Sequence, residues 1–246
     1  MGSLLAGIIL SVVMTLLLEK VVRYYLKHLD RGLISSVFPF TKSDNSLEVK
    51  CSLNIKQDGK NPSSLRAYVH SAETLALQKI AKHLHGHDIE LTFSSFYSIP
   101  QEEKNLLLIG ASSYNEISKH ILENINDFII VHYDNRHACY QYLEKTYQCK
   151  HVNSDDGTIV VEDYGLVVRK KMSGGHYVLL LGGIHMHGSL AAAEVVLDKD
   201  FKKLIKDKKL KEFIQLVKVN VAKDGLSLVP NSVEWKSLPL VQLRIN

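Results

Sequence analysis

The sequence predicts an α/β domain with a Rossmann-like, three-layer sheet, preceded by one N-terminal transmembrane helix. Short continuous apolar runs, typical of buried strands, alternate with stretches of helical apolar spacing, and glycine follows two of these runs. The first 18 residues contain no charged side chain. Because continuous apolar strands between helices belong to sheets covered on both faces, we expect a mostly parallel sheet with some antiparallel strands.

The segment "MGSLLAGIILSVVMTLLL" predicts a retained membrane helix over residues 1–19. As a helix, the uncharged stretch would rise roughly 27 Å, close to the hydrocarbon core of about 30 Å. A cleaved signal peptide is disfavoured because no Lys or Arg precedes the run and no small-residue cleavage site follows it. A buried core helix is disfavoured because the segment has no polar face.

The flanking charges predict the orientation of this single-pass protein. Lys20, Arg23, Lys27 and Arg31 follow the span, and no basic residue precedes it. The positive-inside rule therefore places the N-terminus outside and the C-terminal domain in the cytoplasm. Small residues at four-residue spacing near the N-terminus permit close helix contact in lipid, although they are common in any membrane helix.

Residues 20–40 are expected to form a juxtamembrane amphipathic helix and linker. Apolar residues keep a helical period from Val21 to Leu33, and Gly32 followed by Pro39 is expected to end the helix. The cytosolic ligand-binding domain is then assigned to residues 41–246, with one or two short strands near its start.

The domain is expected to alternate strands and helices. Strands are predicted at "LRAYVHS", "DIELTFSS", "NLLLIGAS" and "DFIIVHYD", with helices at "AETLALQKIAKHL" and "SYNEISKHILENI". The stretch "TIVVEDYGLVVRKK" predicts two strands or a hairpin around Asp163 to Gly165, with antiparallel pairing. The strand "HYVLLLGG", the helix "SLAAAEVVL", the basic helix "DFKKLIKDKKLKEF" and the strand "IQLVKVNVA" follow.

Composition excludes a disordered tail, since 46% of the residues are hydrophobic and 23% are charged. The net charge of +4 is spread along the chain, which neither requires nor excludes nucleic acid. No nucleic-acid duplex is expected as a partner. The basic helix from Lys202 to Lys211 could touch acidic lipids or nucleic acid, but such runs are more often solvated faces. Reduced cysteines are favoured over a Cys139–Cys149 disulfide, because the odd number of cysteines argues against a disulfide framework.

Ligands of open α/β sheets bind beyond the carboxyl ends of the strands, where helix N-termini direct amides outward. Three predicted strand-to-helix turns there combine small residues with hydroxyl, amide or imidazole groups. We expect them to form one crevice for a nucleotide-like ligand, although each turn alone is also what a helix N-cap requires. The predicted ligand-binding residues are His70, Ser71, Gly110, Ser112, Asn115, Gly182, Gly183, His185, His187, Gly188 and Ser189.

The turn "GIHMHGS", from Gly183 to Ser189, has the G-x-x-x-x-G spacing of a phosphate loop after an apolar strand. Ser189 stands where such loops place the lysine that reaches the β- and γ-phosphates, so an ATPase or GTPase is not expected. The glycines would still let backbone amides hold a phosphodiester or pyrophosphate without hydrolysis.

No metal or other cofactor is expected, although the chain has 12 histidines. The segment "HLHGHD" is similar to the H-x-H-x-D-H pattern of metallo-β-lactamase-type hydrolases, but its last two residues are reversed. His185 and His187 have a spacing that permits chelation. No serine lies in a G-x-S-x-G elbow. Glu73 and Glu116 remain as candidate acids or bases for a glycosidic cleavage.

The segments "NLLLIGASSYNE", "DYGLVVRKK" and "YVLLLGGIHMHGSLAAA" resemble uncharacterised prokaryotic Rossmann-like domains over roughly residues 65–220. The second loop departs from their pattern, with Ala111 and Ser112 instead of a double glycine and proline. The matching positions are Asn105, Gly110, Asn115, Asp163, Tyr164, Gly165, Gly183, Gly188, Ser189, Ala192 and Ala193.

By its architecture, the chain also resembles membrane-anchored effectors of prokaryotic antiviral defence. In these effectors a Rossmann-like domain of the CRISPR-associated (CARF) type binds a cyclic oligonucleotide. The resemblance implies a homo-oligomeric sensor that binds a nucleotide-like signal and rearranges its membrane helices. The alternative is a membrane-tethered enzyme acting on a nucleotide or glycoside, with Glu73 or His187 as acid or base. A third alternative is a scaffold that only holds partners.

Overall fold

The computed structural model describes residues 18, 20–21, 30–39, 46–51, 54–58, 61–68, 71–93, 105–110, 116–123, 125, 129–133, 137–154, 157–224 and 227–243. No helix within these ranges is long and apolar enough to cross a membrane. The predicted transmembrane helix over residues 1–19 lies outside the described residues, except for Leu18.

The described part of the chain alternates helices with strands. Residues 30–37 form helix α1. The elements that follow are β1 (Ser46–Cys51), β2 (Asn54–Asp58), β3 (Asn61–Tyr68), α2 (Ser71–His85), β4 (Glu90–Phe93), β5 (Leu106–Ile109), α3 (Glu116–Glu123), β6 (Ile129–Tyr133), β7 (His137–Tyr142), β8 (Lys145–Gln148), β9 (Lys150–Ser154), β10 (Gly157–Lys171), β11 (Tyr177–Gly183), α4 (Met186–Leu197), α5 (Lys199–Asp207), β12 (Phe213–Asn220) and β13 (Leu240–Gln242).

A mixed sheet lies at the centre of the fold, with its strands in the order β13-β12-β10-β11-β5-β1-β4. The neighbours β4, β1, β5 and β11 run parallel to one another. Strand β10 is antiparallel to β11, β12 and β9, and β13 is antiparallel to β12. The predictions of a mixed α/β class, a parallel central region and antiparallel strands near residues 158–169 and the C-terminus are therefore confirmed.

Apolar side chains of the sheet supply two cores, one on each face. Leu107 of β5 and Leu179 of β11 belong to a core that includes buried residues of α1, α2, α4 and α5. Their neighbours Leu108 and Leu180 belong to a second core with Ile121 of α3 and residues of β7. This alternation explains why the strands β5 and β11 read as unbroken apolar runs.

Strand β10 is one continuous strand, so the predicted pair of strands or hairpin around Asp163 to Gly165 is wrong. Its residues pair with β12 without interruption from Glu162 to Arg169. The polar and glycine residues that suggested a turn instead face helix α4, as described below. A carboxylate and a glycine in a strand therefore mark a contact with a helix here rather than a reversal of the chain.

Helix α1 continues through Gly32, where the sequence predicted its end, to residue 37. Its apolar residues Ile34 and Val37, with Phe38 just after the helix, are at most 1% exposed and belong to the first core. The Arg169 guanidinium donates hydrogen bonds to the carbonyls of residues 35 and 36, which satisfies carbonyl groups at the end of the helix. Residues 34–38 are thus packed against the domain.

Candidate functional site

The carboxyl ends of the parallel strands β5 and β11 meet at one edge of the sheet. The Gly110 amide donates to the Leu181 carbonyl at 3.0 Å, and a Cβ atom on Gly182 would lie 3.5 Å from the Gly110 carbonyl oxygen. Helix α4 begins at this edge, three residues after β11 ends at Gly183. The structure therefore brings Gly110, from the second predicted ligand-binding turn, next to the third turn at Gly182 and Gly183.

The other predicted positions have different outcomes. Ser71 is the first residue of α2 and is exposed. His70, Ser112 and Asn115 lie outside the described residues.

Three glycines allow the start of α4 to touch the backbone of the sheet. A Cβ atom on Gly165 of β10 would lie 2.1 Å from the Gly188 carbonyl oxygen, and one on Gly188 would lie 2.1 Å from the Tyr164 carbonyl oxygen. A Cβ atom on Gly183 would lie 2.4 Å from the Ser189 amide nitrogen. Any side chain at these positions would force the helix away from the strands, so the glycine spacing is required by this packing.

The fully buried side chain of Asp163 caps helix α4 from strand β10. Its Oδ2 accepts a hydrogen bond of 2.6 Å from the Gly188 amide, and its Oδ1 accepts one of 3.2 Å from the His185 amide. Oδ1 also accepts one of 2.8 Å from the Tyr164 amide. His185, which occupies the N-cap position, makes no capping bond with its own side chain. Asp163 thus replaces the local cap with one from a distant strand.

This arrangement changes what the glycine turn can bind. The amides of His185 and Gly188 point towards Asp163, inside the domain, rather than towards solvent. The carboxylate lies where a phosphate loop would hold its phosphate, and a second anion there would be repelled at short range. The predicted backbone cradle for a phosphate is therefore used for an anion of the chain itself.

The thiol of Cys149 also donates a hydrogen bond to Asp163. Its Sγ donates to Asp163 Oδ1 at 2.9 Å. Burial, and secondly the neighbouring Asp163 carboxylate, raise the pKa of the Cys149 thiol, which keeps it protonated and unsuited to act as a nucleophile. Cys139 and Cys149 are both buried and free, as the preference for reduced cysteines predicted.

A charged cluster lies beside Asp163, on the other face of β10. The Glu162 carboxylate accepts from Lys218 at 2.8 Å and from Lys150 at 3.1 Å, and the Tyr164 hydroxyl donates to it at 3.2 Å. Burial alone would raise the pKa of Glu162, but the hydrogen bonds from the two lysines lower it. Burial and the Glu162 charge raise the pKa of Tyr164. The charge and the hydrogen-bonding groups of Glu162 are thus satisfied within this cluster.

The start of α4 carries two imidazoles and a hydroxyl group. The imidazole of His185 is half-buried and meets the ring of His151 of β9 edge to face, with the ring centres 5.4 Å apart. The buried atoms His185 Nε2 and Ser189 Oγ have no hydrogen-bond partner among the described residues. His187 is 3% exposed. His151 was not among the predicted residues, because its place in the sequence, in a strand that was not predicted, does not indicate this contact.

Each of the candidate acids and bases lies in the first turn of a helix. Glu73, 1% exposed, belongs to the first turn of α2, and His187 belongs to the first turn of α4, the helix against which α2 packs. Glu116 begins α3.

Within the segment "HLHGHD", the rings of His83 and His87 lie 5.2 Å apart. In the described ranges, no three His, Cys, Asp or Glu side chains are placed to hold a metal ion.

Two clefts lie elsewhere on the molecule. One of about 480 Å³, between α2 and α4, is lined by Lys79, Lys82, His83, Glu194 and Leu197. Another of about 290 Å³ lies where the C-terminal segment passes α4, and Trp235 is part of its lining. Neither is lined by a described residue of the predicted ligand-binding set.

No protein-family model, curated protein or solved structure shows significant similarity to the chain.

Proposed function

We propose that the chain is a membrane-anchored sensor or effector with a cytosolic, Rossmann-like ligand-binding domain. A nucleotide-like molecule binds at the carboxyl edge of β5 and β11 and rearranges the membrane helices of a homo-oligomer. The observation that carries the proposal is the pair of imidazoles, His151 and His185, at the start of α4. The resemblance to CARF-type effectors makes a cyclic oligonucleotide the first candidate for the signal.

The chemistry of the edge supports recognition of a base or a sugar. An imidazole offers both a flat ring for stacking and a nitrogen for hydrogen bonding, and the Ser189 hydroxyl is a donor and an acceptor. His185 Nε2 and Ser189 Oγ are buried without a partner among the described residues, which is costly unless a further group satisfies them. The phosphates of the ligand would lie away from Asp163, because its carboxylate repels them.

Binding is favoured over covalent catalysis at Cys149, a thiol close to this edge. Cys149 donates its proton to Asp163 and its pKa is raised by burial, so it is not an activated nucleophile. The membrane-tethered enzyme remains the alternative, with Glu73 or His187 as acid or base. The two functions differ in whether the ligand survives incubation with the protein.

The test is thermal unfolding of the full chain with nucleosides and with mono-, di- and cyclic nucleotides, each mixture then being analysed by mass spectrometry. A ligand at a hundred times its Kd adds about 2.7 kcal/mol to the free energy of unfolding, which corresponds to a rise in Tm of about 5–10 °C. We expect stabilisation by an intact nucleotide. His185→Ala should abolish it, whereas His85→Ala, at the exposed C-terminal end of α2, should retain it.

Two results contradict the proposed sensor. Stabilisation by none of the compounds would favour the scaffold. Consumption of a nucleotide would favour the tethered enzyme, and Glu73→Gln and His187→Gln would then be the variants to assay for turnover.

A further inference from the structure

A row of exposed lysines follows helix α5 and the turn after it. Seven lysines and two aspartates lie within residues 199–211. Lys202 is buried and contacts His83 of α2, with Nζ 3.2 Å from Nε2. The other six are exposed, and none of them forms a salt bridge with any described residue. We call these six the lysine face: Lys199, Lys203, Lys206, Lys208, Lys209 and Lys211.

The lysine face lies beside helix α1. The Ser36 hydroxyl donates to the Lys202 carbonyl at 3.0 Å, and a Cβ atom on Gly32 would lie 3.7 Å from Lys206 Nζ. Lys199, Lys203 and Lys206 share one side of α5, at i, i+4 and i+7. Of the two acidic residues of α5, Asp200 is paired with Lys236 at 3.0 Å, and Asp207 follows Lys203 by one helical turn. The side of α5 near α1 is therefore basic but not uniformly so, because Asp30 of α1 lies within electrostatic reach of Lys202 and His83.

Helix α1 also joins the domain to the predicted membrane segment. Ten residues lie between residue 19 and residue 30, and the eleven steps along the chain span at most about 40 Å even when fully extended. The domain is thus held close to the membrane surface on the side where α1 packs. The segment from Glu19 to Arg31 contains four basic and two acidic residues, a net charge of +2.

We infer that the lysine face docks on the anionic lipid headgroups of the membrane in which the chain is anchored. This inference rests on the proposed function in one respect, the N-terminal anchor. Each lysine near an anionic surface strengthens adsorption about fivefold, and the anchor keeps the face near that surface. The candidate ligand edge lies at the other end of the sheet, because Lys211 precedes β12 while Glu162 pairs with its last residue, Asn220.

Acetylation of lysines, read by mass spectrometry, tests the docking with the full chain in lipid nanodiscs. The matched lysines are Lys211 and Lys223, which flank opposite ends of β12 and are separated by about 26 Å of strand. We expect at least threefold slower acetylation of the lysine face in phosphatidylserine-containing discs than in phosphatidylcholine discs. Lys223 and Lys145 should react equally in both, and salt at 0.5 M should remove the difference.

Charge reversal provides the matched variants. The pair Lys203→Glu and Lys206→Glu should abolish the protection of the remaining lysines, whereas Lys145→Glu with Lys223→Glu should leave it unchanged. All four positions are exposed, so we expect these substitutions to leave the fold intact. Equal acetylation rates in the two kinds of disc would overturn the docking. Protection by single-stranded DNA, with none from anionic lipid, would overturn it in favour of a nucleic-acid partner.

The N-terminal anchor is tested separately from the docking of the lysine face. If the full chain does not stay with phosphatidylcholine discs, the anchor of the proposed function is wrong. Flotation of the same protein with vesicles then decides the docking: binding to phosphatidylserine vesicles but not to neutral ones supports it, and binding to neither overturns it.

Discussion

At the scale of single residues, Asp163 connects a strand to a helix that begins more than twenty residues later. Its two carboxylate oxygens accept three amides and a thiol, and the side chain is fully buried. Hydrogen bonds to a buried charged group stabilise more than neutral ones, and a carboxylate without them would be very costly to bury. We therefore expect the fold of the α4 turn to depend on this residue.

Replacing Asp163 by Asn tests that dependence. The NH2 group of the asparagine would replace an accepting oxygen and would face a backbone amide that also donates, so a hydrogen bond would be lost. We therefore expect the free energy of unfolding to fall by about 3 kcal/mol. Urea unfolding followed by the fluorescence of Trp235, the single tryptophan, measures it. Asp200→Asn is the control, since its exposed pair with Lys236 contributes about 0.5 kcal/mol. A loss below 1 kcal/mol in Asp163→Asn would contradict this role.

Two glycine-to-alanine changes should have opposite signs. Gly188→Ala places a Cβ atom 2.1 Å from the Tyr164 carbonyl oxygen and should lower the free energy of unfolding by about 3 kcal/mol or more. Gly32→Ala lies inside α1 with its nearest neighbour, Lys206 Nζ, at 3.7 Å, and should raise it by about 0.5–1 kcal/mol. The same urea titration measures both, and equal effects would refute the close contact between α4 and β10.

The pH dependence of stability should contain a contribution from His83. Its pKa is lowered from 6.5 to about 4, first by burial and then by the charge of Lys202. Because the unfolded chain binds this proton more tightly, stability is full above pH 6.5 and is lost as the pH falls towards 4. His83→Gln should therefore have a Tm that falls less between pH 7 and 4.5, whereas the exposed neighbour Gln78→Asn should match the wild type. If the Tm of His83→Gln fell with pH as steeply as that of the wild type, the lowered pKa of His83 would be contradicted.

At the scale of elements, the sequence indicates most strands and helices of the parallel region but not how they meet. The apolar runs of β5 and β11 and the helical spacing of α2 follow from burial patterns that are local in sequence. The cap of α4 and the continuity of β10 depend on a contact between Asp163 and Gly188, 25 residues apart. Strands β7, β8 and β9 were not predicted, because half-exposed polar strands lack an apolar run.

The packing of helix α1 against the domain is likewise a tertiary contact that the sequence of the helix alone does not indicate. Phe38→Ala should lower the free energy of unfolding by about 3 kcal/mol, because it empties a fully buried position in the first core. Leu18→Ala, at a position that is 67% exposed, should change it by less than about 0.5 kcal/mol. Urea unfolding of the full chain measures both variants. Similar small effects would mean that α1 does not contribute to the core.

At the scale of the whole molecule, the fold class was predictable and the candidate site only in part. Alternating apolar runs and helices indicate an α/β sheet, and the parallel strands place the glycine turns at one edge. That edge includes Gly110 and His185, as predicted, and also His151, which was not. The sequence could not reveal that an internal carboxylate takes the amides, because the G-x-x-x-x-G spacing is the same for both uses.

The most direct test of the central claim is the NMR spectrum of histidine-labelled full-length protein, with His185→Ala and His151→Ala used for assignment. We expect at least one nucleoside to shift the ring signals of His151 and His185 saturably, while inorganic pyrophosphate leaves them in place. Shifts caused by pyrophosphate would mean that the turn holds phosphate after all. If neither nucleosides nor pyrophosphate moved these signals, the edge of β5 and β11 would not be the ligand site.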